Sequence, residues 1–285
     1  MPKILKILIV GENSYIGRSF RDFAGGRYEI TAVSSRGGAW ADADFAACDA
    51  ILHCAGLAHV KQGAGMERLY YEVNCDLAAG VARKAASEGA RQLIFLSSMA
   101  VYGGTGKTEI TKDTPPEAAR GDFYGGSKLK AERELGAAVS GGPVKLKLCI
   151  VRPPMVYGSG CKGNFKRLVS LARAAPVFPD FANKRSMIYI DNLCAFICGL
   201  IDREAEGVFL PQNREYVSTA ELVRLIAAHS GRRMAATRLF NPLLRPLAKR
   251  GGVFGKLFGD LAYAGEGVDY IGHVGFEESV KRSLV

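Results

Sequence analysis

Apolar segments of β-strand length alternate with helix-like segments over the first 150 residues of the chain. The strand-like segments are ILKILIV (4–10), YEITAVS (28–34), DAILHCAG (49–56), RQLIFLSS (91–98) and KLKLCIVRP (145–153). Helical patterns lie between them, around residues 68–88 and in a segment that begins near Tyr124. Strands that alternate with helices predict βαβ units and an α/β fold with a doubly wound parallel sheet. Ligands of such sheets bind at the carboxyl ends of the strands.

Composition places the chain among ordinary globular proteins. Its 285 residues are 48% hydrophobic and 23% charged, which allows one large domain or two interleaved domains. No apolar run reaches the roughly 18 residues that a membrane span requires, so we expect a cytoplasmic location without a transmembrane segment. The seven cysteines include no Cys-x-x-Cys pair. We therefore expect neither a disulfide framework nor a metal site.

The formal net charge of +10 indicates an anionic partner. Nucleic acid is one candidate, but the sequence has no zinc finger or ribonucleoprotein aromatic motif, and the basic residues are spread along the chain. A small anionic ligand such as a sugar diphosphate explains the charge equally well, and we expect no specific nucleic-acid partner. One segment, 232–260, has seven Lys/Arg amid apolar residues. It is either a solvated face or an amphipathic helix at a membrane surface.

A glycine-containing turn, GENSYIG, follows the first strand and precedes a helical segment. Glycine at Gly11 allows backbone amides to approach a pyrophosphate, and glycine at Gly17 allows close packing of the helix. The same glycines also occur in tight turns that bind nothing, but the strand–turn–helix context favours a dinucleotide site. The other positions of the turn that we expect to contact the cofactor are Asn13, Ser14, Tyr15 and Ile16.

This turn predicts that residues 1–152 form a dinucleotide-binding domain of the Rossmann type. Residues 153–285 have a looser pattern with several prolines and are predicted to form mainly a smaller, substrate-binding lobe. Within them, 186–211 contains a strand and a helix that we expect to return to the sheet domain.

The second strand ends in Ser34, Ser35 and Arg36. An enzyme selective for NAD has an acidic residue at this position, whereas hydroxyl groups and an arginine suit the 2′-phosphate of NADP. The sequence therefore favours NADP over NAD. Two alternatives stay open, because the loop can ignore the ribose and Arg36 can stack on adenine without contacting a phosphate.

Tyr124 precedes Lys128 by four residues in FYGGSKLKAE. On a helix these two side chains lie on one face, so the ammonium group is expected to favour the phenolate and lower the pKa of Tyr124 from its usual value of about 10. Such a tyrosine is a usable acid/base. A half-buried aromatic beside a lysine that extends to solvent is the alternative.

Together these motifs resemble the extended short-chain dehydrogenase/reductase family, in particular the nucleotide-sugar epimerases and dehydratases. The resemblance covers nearly the whole chain and rests on landmarks in the same order. They are GENSYIG (11–17), HCAG (53–56), Asn74 in YEVNCDLA, SSMAVYG (97–103), the pair Tyr124 and Lys128, VRPPMVYGSG (151–160) and NKRSMIYIDNL (183–193).

The resemblance implies catalytic roles for three residues. Tyr124 exchanges a proton with the sugar oxygen, Lys128 holds the nicotinamide ribose and lowers the tyrosine pKa, and Ser98 hydrogen-bonds the reacting oxygen. Ser97 is the alternative to Ser98. Asn74 is expected to face the cofactor, the alternative being a helical asparagine that faces solvent.

The resemblance also implies further contacts. The remaining cofactor contacts are Cys54, Ala55, Gly56 and Pro153. The substrate contacts, besides Ser98 and Tyr124, are Met99, Asn164 and Arg185, of which Arg185 binds a phosphate. Lys166 and Arg167 either add positive charge there or are solvated surface residues. Family members pair through a four-helix interface that includes the Tyr124 helix, so we expect a homodimer.

Two reactions fit these residues. A 4-epimerase acting on a nucleotide-activated hexose, a UDP-hexose by resemblance, inverts C4 with one bound NAD. A 4-keto reductase, acting on a UDP-4-keto-6-deoxyhexose, consumes NADPH. VRPPMVYGSG and RSMIYIDN favour the epimerase, and Arg36 favours the reductase. Dehydration is disfavoured, because Met99 and Ala100 stand where the dehydratases have an acidic pair. A non-catalytic dinucleotide sensor is a more distant alternative.

Overall fold

The computed structural model describes residues 3–58, 60, 63, 65–103, 109–140, 145–250 and 252–285. In these ranges the strands are β1 (Lys6–Val10), β2 (Glu29–Val33), β3 (Ala50–His53), β4 (Gln92–Leu96), β5 (Glu109–Ile110), β6 (Lys147–Val151), β7 (Met155–Tyr157), β8 (Val177–Pro179), β9 (Met187–Tyr189), β10 (Gly207–Asn213), β11 (Ala235–Thr237), β12 (Ala262–Tyr263) and β13 (Val268–Ile271).

The helices of the same ranges are α1 (Tyr15–Ala24), α2 (Met66–Tyr71), α3 (Leu77–Ser87), α4 (Phe123–Ser140), α5 (Asn164–Ala174), α6 (Ile190–Asp202), α7 (Thr219–His229), α8 (Asn241–Lys249), α9 (Gly252–Phe258) and α10 (Phe276–Arg282). A π-helical turn, Glu72–Asp76, joins α2 to α3, and a 3₁₀ turn, Met99–Tyr102, follows β4. No helix of these described ranges is long and apolar enough to span a bilayer.

The main sheet has seven parallel strands in the order β13-β10-β6-β4-β3-β1-β2. The predicted α/β fold with a doubly wound parallel sheet is confirmed. The predicted strands are one to three residues too long at their ends. The helix predicted around 68–88 is divided by the π-helical turn.

The chain forms two compact units. The first comprises Met1–Gly103, Pro116–Pro153 and Cys194–Phe209, and the second comprises Gly104–Pro115, Pro154–Leu193 and Leu210–Val285. In the first unit, small side chains allow α3 to approach the sheet closely. The buried cluster there includes Leu8, Ile51, Leu93 and Phe95 from strands, Val81, Ala82 and Ala85 from α3, and Ala131 and Leu135 from α4.

The parallel register aligns the carboxyl ends of the strands in the first unit. Val10 pairs with Val33 on one side and with His53 on the other, and His53 pairs with Phe95 of β4. The turns that follow β1, β2, β3 and β4 therefore emerge at one edge of the sheet, where the predicted cofactor residues lie.

Candidate active site

The turn after β1 requires glycine at its first position. Gly11 has φ +111°, and the backbone N–H groups of Gly11 and Glu12 both donate to the carbonyl oxygen of Val33, at 3.0 and 3.1 Å. A Cβ atom at Gly11 would lie 2.7 Å from the backbone nitrogen of Ala55. A side chain is therefore excluded by both conformation and space.

Ser14 caps the amino terminus of α1. Its Oγ accepts a hydrogen bond from the backbone N–H of Gly17 at 2.9 Å, and a Cβ atom at Gly17 would lie 2.7 Å from that oxygen. The first turn of a helix presents free N–H groups and a partial positive charge. Glycine at both ends of the turn and the free N–H groups of this helix end suit a pyrophosphate, whose contact with residues 11–17 stays a prediction. Asn13 is exposed and donates to Glu12, while Tyr15 and Ile16 are half-buried in the first turn.

The end of β2 carries no carboxylate that could accept from ribose hydroxyls. The Oγ of Ser34 accepts from the backbone N–H of Arg36 at 3.1 Å, which shapes the turn. Ser35 is half-buried, and Arg36 is exposed and makes no ion pair with any described residue. The guanidinium group is therefore available to an anionic or aromatic group.

Asn74 is fully buried and holds the loop that follows β3. Its Oδ1 accepts from the backbone N–H of Leu57 at 2.6 Å. Its Nδ2 donates to the carbonyl oxygen of Leu57 at 3.1 Å and to Ser127 Oγ at 3.0 Å. The alternative that Asn74 faces solvent is therefore wrong. The π-helical turn explains this orientation, since it rotates residues 72–76 relative to a regular helix.

The loop held by Asn74 contains the other predicted cofactor residues. Ala55 is buried, Gly56 is exposed and Cys54 is partly buried. Burial raises the pKa of the Cys54 thiol to about 12, so this cysteine is unreactive at neutral pH. The loop contributes backbone groups to the site, while the thiol contributes no chemistry.

Lys128 lies beneath the same loop. Its Nζ donates to the carbonyl oxygen of Leu96 at 2.8 Å and lies 4.6 Å from the ring centroid of Phe95. A Cβ atom at Gly56 would lie 3.3 Å from this Nζ. Burial lowers the pKa of Lys128 to about 8, so the ammonium form still predominates at pH 7.

Tyr124 and Ser98 are brought together by α4 and the turn after β4. Ser98 Oγ accepts from the backbone N–H of Ala100 at 3.2 Å, and its hydroxyl lies close enough to the phenol of Tyr124 to influence the pKa of that group. Burial raises the pKa of Tyr124 above its usual value, and the Ser98 hydroxyl opposes this increase. The prediction that Lys128 lowers this pKa is wrong for this structure, because desolvation dominates and the ammonium group is directed at Leu96.

The two glycines after Tyr124 allow α4 to approach its neighbours. A Cβ atom at Gly125 would lie 2.6 Å from the carbonyl oxygen of Ala100, and one at Gly126 would lie 2.9 Å from the hydroxyl of Tyr71. The backbone N–H of Tyr124 donates to Asp122 Oδ1 at 3.1 Å, which fixes the start of the helix. Close packing at Gly125 therefore places Tyr124 beside Ser98.

A buried polar cluster beneath Ser98 was not predicted. Arg152 donates to both carboxylate oxygens of Glu132, at 3.0 and 2.6 Å, and to the hydroxyl of Tyr102 at 2.6 Å. Ser97 Oγ donates to the same carboxylate at 2.5 Å. Ser97 is thus committed to this cluster, and Ser98 is the serine available at Tyr124. In the sequence, this cluster is indicated by the position of Glu132, which lies one helical turn after Lys128.

Two predicted contacts near Ser98 have backbone partners. The backbone N–H of Met99 donates to the carbonyl oxygen of Pro153 at 2.9 Å, and the Met99 side chain is buried. This bond joins the turn after β4 to the end of β6. A substrate contact by Met99 and a cofactor contact by Pro153 stay predictions.

Asn164 and Arg185 belong to the second unit. Asn164 is exposed at the first position of α5, and its neighbours Lys166 and Arg167 are also exposed. Arg185 Nη1 donates to the carbonyl oxygen of Gly259 at 2.8 Å, and burial lowers the pKa of its guanidinium. A partly desolvated guanidinium gains from an anionic partner, which is consistent with the predicted phosphate contact.

Solved structures with similar folds include enzymes of both predicted reaction types. A dTDP-4-dehydrorhamnose reductase from Bacillus anthracis, in complex with NADP, has a TM-score of 0.74 at 18% identity, and each chain is covered to 99%. A UDP-glucose 4-epimerase from Thermus thermophilus, in complex with NAD, has a TM-score of 0.71 at 16% identity, with 98% of each chain covered. At these identities the likeness establishes the fold alone.

Sequence comparison is more specific. A UDP-glucose 4-epimerase from Vibrio cholerae is 38% identical over 184 residues, which cover 62% of this chain and 56% of that protein. The match therefore spans little more than half of that curated relative. A model of the NAD dependent epimerase/dehydratase family matches residues 7–210, which is well over half of the chain. The predicted resemblance is confirmed, and the chain belongs to the NAD dependent epimerase/dehydratase family.

Proposed function

We propose that this protein is a nucleotide-sugar 4-epimerase that inverts C4 of a UDP-hexose with a tightly bound nicotinamide dinucleotide. The observation that carries the proposal is the juxtaposition of the Ser98 hydroxyl and the Tyr124 phenol, with Lys128 one turn along the same helix. The 38% identity to a UDP-glucose 4-epimerase supports the choice of reaction.

The proton chemistry belongs to Tyr124 and Ser98. Epimerisation begins with oxidation of C4, in which the phenolate of Tyr124 accepts the proton of the sugar O4 hydroxyl. The phenol formed in that step returns the proton to O4 when C4 is reduced, while the Ser98 hydroxyl donates a hydrogen bond to the reacting oxygen. Because burial raises the pKa of Tyr124, the neutral phenol is its resting form and must lose its proton before the first step. A bound nicotinamide dinucleotide supplies the two-electron oxidation and reduction at C4. Lys128 is the proposed contact to the nicotinamide ribose.

The residues available to hold the cofactor are those of the β1–α1 turn and of the loop after β3. The turn from Gly11 to Gly17 would contact the pyrophosphate, and Ser34 and Arg36 would contact the adenosine ribose. Arg36 supports NADP, because no carboxylate at this position competes for the ribose hydroxyls. In the second unit, Arg185 is the proposed contact to the substrate diphosphate and Asn164 the amide contact.

A second candidate function, an NADPH-dependent 4-keto reductase, is favoured by the exposed Arg36. The two functions differ in the fate of the dinucleotide, because an epimerase recycles it in place and a reductase releases it. Freshly purified protein should be denatured, and any released dinucleotide should be identified by mass. Near-stoichiometric dinucleotide supports the epimerase. Protein that carries none, and that then binds NADPH more tightly than NADH, supports the reductase.

The contribution of Arg36 can be tested separately. We expect Arg36→Ala to weaken NADP binding about tenfold, the loss expected for a charge-assisted contact to phosphate, with little change for NAD. Arg21→Ala, which removes an exposed arginine from the last turn of α1, is the matched control. Equal weakening for NAD and NADP would contradict phosphate recognition by Arg36.

Activity is tested with UDP-glucose and UDP-N-acetylglucosamine, each incubated with the protein alone and with added NAD. Proton NMR of the anomeric signals distinguishes the C4 epimers. Conversion of either substrate to an equilibrium mixture supports the proposal. Protein that is loaded with dinucleotide but converts neither substrate contradicts it.

A further inference from the structure

An exposed apolar ridge lies on α8 and α9 of the second unit. Leu239 and Phe240, just before α8, are 79% and 49% exposed, and Leu243 in its first turn is 65% exposed. Phe254 in α9 is 43% exposed. We call these four residues the apolar ridge. Four large apolar side chains this exposed within one short segment indicate an interaction surface rather than scattered surface residues.

The chain segment that carries this ridge is strongly basic. Between residues 232 and 259 the sequence has seven Lys/Arg and no Asp or Glu. Of these seven, Arg238 pairs with Asp180 at 2.9 Å, and the others form no ion pair with any residue in the described ranges. Arg245 and Lys249 lie one turn apart on the exposed side of α8, and Leu243 lies in the first turn of the same helix.

The inner side of the same two helices is firmly packed. Leu244 and Ala248 of α8 are buried. The ring of Phe258, at the end of α9, lies 5.9 Å from that of Phe178 and 5.4 Å from that of Phe181. Because the buried sides of these helices are well packed, the apolar ridge lies on their exposed sides. Its residues are therefore not a poorly packed part of the hydrophobic core.

We propose that the apolar ridge and the basic residues of the same segment dock this protein on an anionic membrane surface. Leucine and phenylalanine side chains insert at the boundary between headgroups and acyl chains, while Arg and Lys bind anionic headgroups. The basic residues alone would also suit nucleic acid, but nucleic-acid binding does not explain the exposed leucines. A second copy docked symmetrically would bring two surfaces of the same positive sign together.

The proposal goes beyond the epimerase function and is tested without any activity assay. The full-length protein is mixed with vesicles of phosphatidylglycerol and phosphatidylethanolamine, or of phosphatidylcholine alone, and the bound fraction is measured by flotation. We expect binding to the anionic vesicles, weak binding to the neutral vesicles, and a decrease as salt is raised.

Two double variants separate the apolar from the cationic contribution. We expect Leu239→Gln with Leu243→Gln, and Arg245→Gln with Lys249→Gln, each to weaken binding at least about tenfold. The matched controls are Ile4→Gln, at a residue that is 65% exposed like Leu243, and Arg224→Gln on the exposed side of α7. Both controls should bind like the wild-type protein.

Several outcomes would overturn the proposal. One is wild-type protein that floats with neither vesicle or equally with both. Another is a leucine double variant that binds the vesicles like the wild type, which would mean that vesicle binding depends on general charge attraction alone. A leucine double variant that changes the oligomeric state in analytical ultracentrifugation, without any vesicle binding by the wild type, would assign the ridge to self-association. Circular dichroism and thermal unfolding establish that each variant is folded.

Discussion

The backbone of Gly125 approaches Ala100 so closely that a Cβ atom at Gly125 would lie 2.6 Å from the Ala100 carbonyl oxygen. This contact joins the start of α4 to the turn after β4, and it sets the distance between Tyr124 and Ser98. Gly136 lies in the same helix with open space where its Cβ would be. The two glycines therefore have different reasons to be present.

We expect Gly125→Ala to destabilise the protein by about 1–3 kcal/mol, because the added methyl group must displace backbone. It should also reduce turnover, since the helix start moves away from Ser98. Gly136→Ala should instead stabilise by about 0.5–1 kcal/mol, because alanine is the better helix former. Urea unfolding of both variants measures the difference. A Gly125→Ala variant with full stability and activity would show that the close contact is unimportant.

Ser97 and Ser98 are adjacent, but their substitution by alanine should have different effects on activity and stability. Ser98→Ala should reduce kcat about 10²–10⁴-fold at unchanged stability, because it removes the hydroxyl that donates to the reacting oxygen. Ser97→Ala should retain activity and lose about 1–3 kcal/mol, because it leaves Glu132 with one donor fewer in a buried cluster. Steady-state kinetics and denaturant unfolding on both variants provide the test. The opposite assignment of effects would make Ser97 the catalytic serine.

The buried pair of Glu132 and Arg152 should be costly to break. Arg152→Met leaves the Glu132 carboxylate uncompensated and is expected to cost about 3–5 kcal/mol. The double variant Arg152→Met with Glu132→Leu should recover a large part of that loss, because both charges are removed. Arg68→Met, in an exposed pair with Glu72, should produce no measurable change. Urea midpoints compare the stabilities of the three variants, and a double variant less stable than Arg152→Met would be inconsistent with this account.

His53 should make the protein sensitive to acid. Its imidazole is buried at the end of β3, with neither ring nitrogen hydrogen-bonded to a described residue. Burial, followed by the charge of Lys128, lowers the pKa of His53 from 6.5 to about 3. Below pH 6.5 the unfolded chain binds a proton that the folded protein does not. The free energy of unfolding should therefore fall by about 1.4 kcal/mol per pH unit between 6.5 and 3 on account of this group.

His53→Leu removes this contribution, so its stability should decline less steeply than that of the wild type over the same range. Chemical denaturation at a series of pH values gives both slopes. His273→Gln, at an exposed histidine, is the control and should follow the wild type. If the free energy of unfolding declined with pH equally steeply in the wild type and in His53→Leu, the proposed contribution of His53 to acid sensitivity would be wrong.

The parts of the fold that depend on local pattern could be predicted from the sequence. Apolar strands, the turn at Gly11 and the spacing of Tyr124 and Lys128 are all local features. The site residues set by distant contacts could not be predicted in full. The partner of Lys128 is a backbone carbonyl of β4, and no local pattern indicates where its ammonium group is directed.

Asn74 illustrates the same limit in a different way. A regular helix gives a fixed relation between sequence position and helix face, but the π-helical turn at 72–76 changes that relation at this residue. The buried pair of Glu132 and Arg152 joins residues 20 apart in the sequence. The position of Glu132 on the helix could be predicted from the sequence. The identity of its partner, Arg152 at the carboxyl end of β6, follows only from the packing of α4 on the sheet.

The most direct test of the central claim uses UDP-glucose carrying deuterium at C4. If the protein inverts C4 by oxidation and reduction with one bound dinucleotide, the UDP-galactose that forms should retain deuterium at C4, and Tyr124→Phe should slow its formation at least about 10²-fold. Mass spectrometry and NMR of the product measure both. Loss of the label to solvent, or a Tyr124→Phe variant as fast as the wild type, would contradict the account.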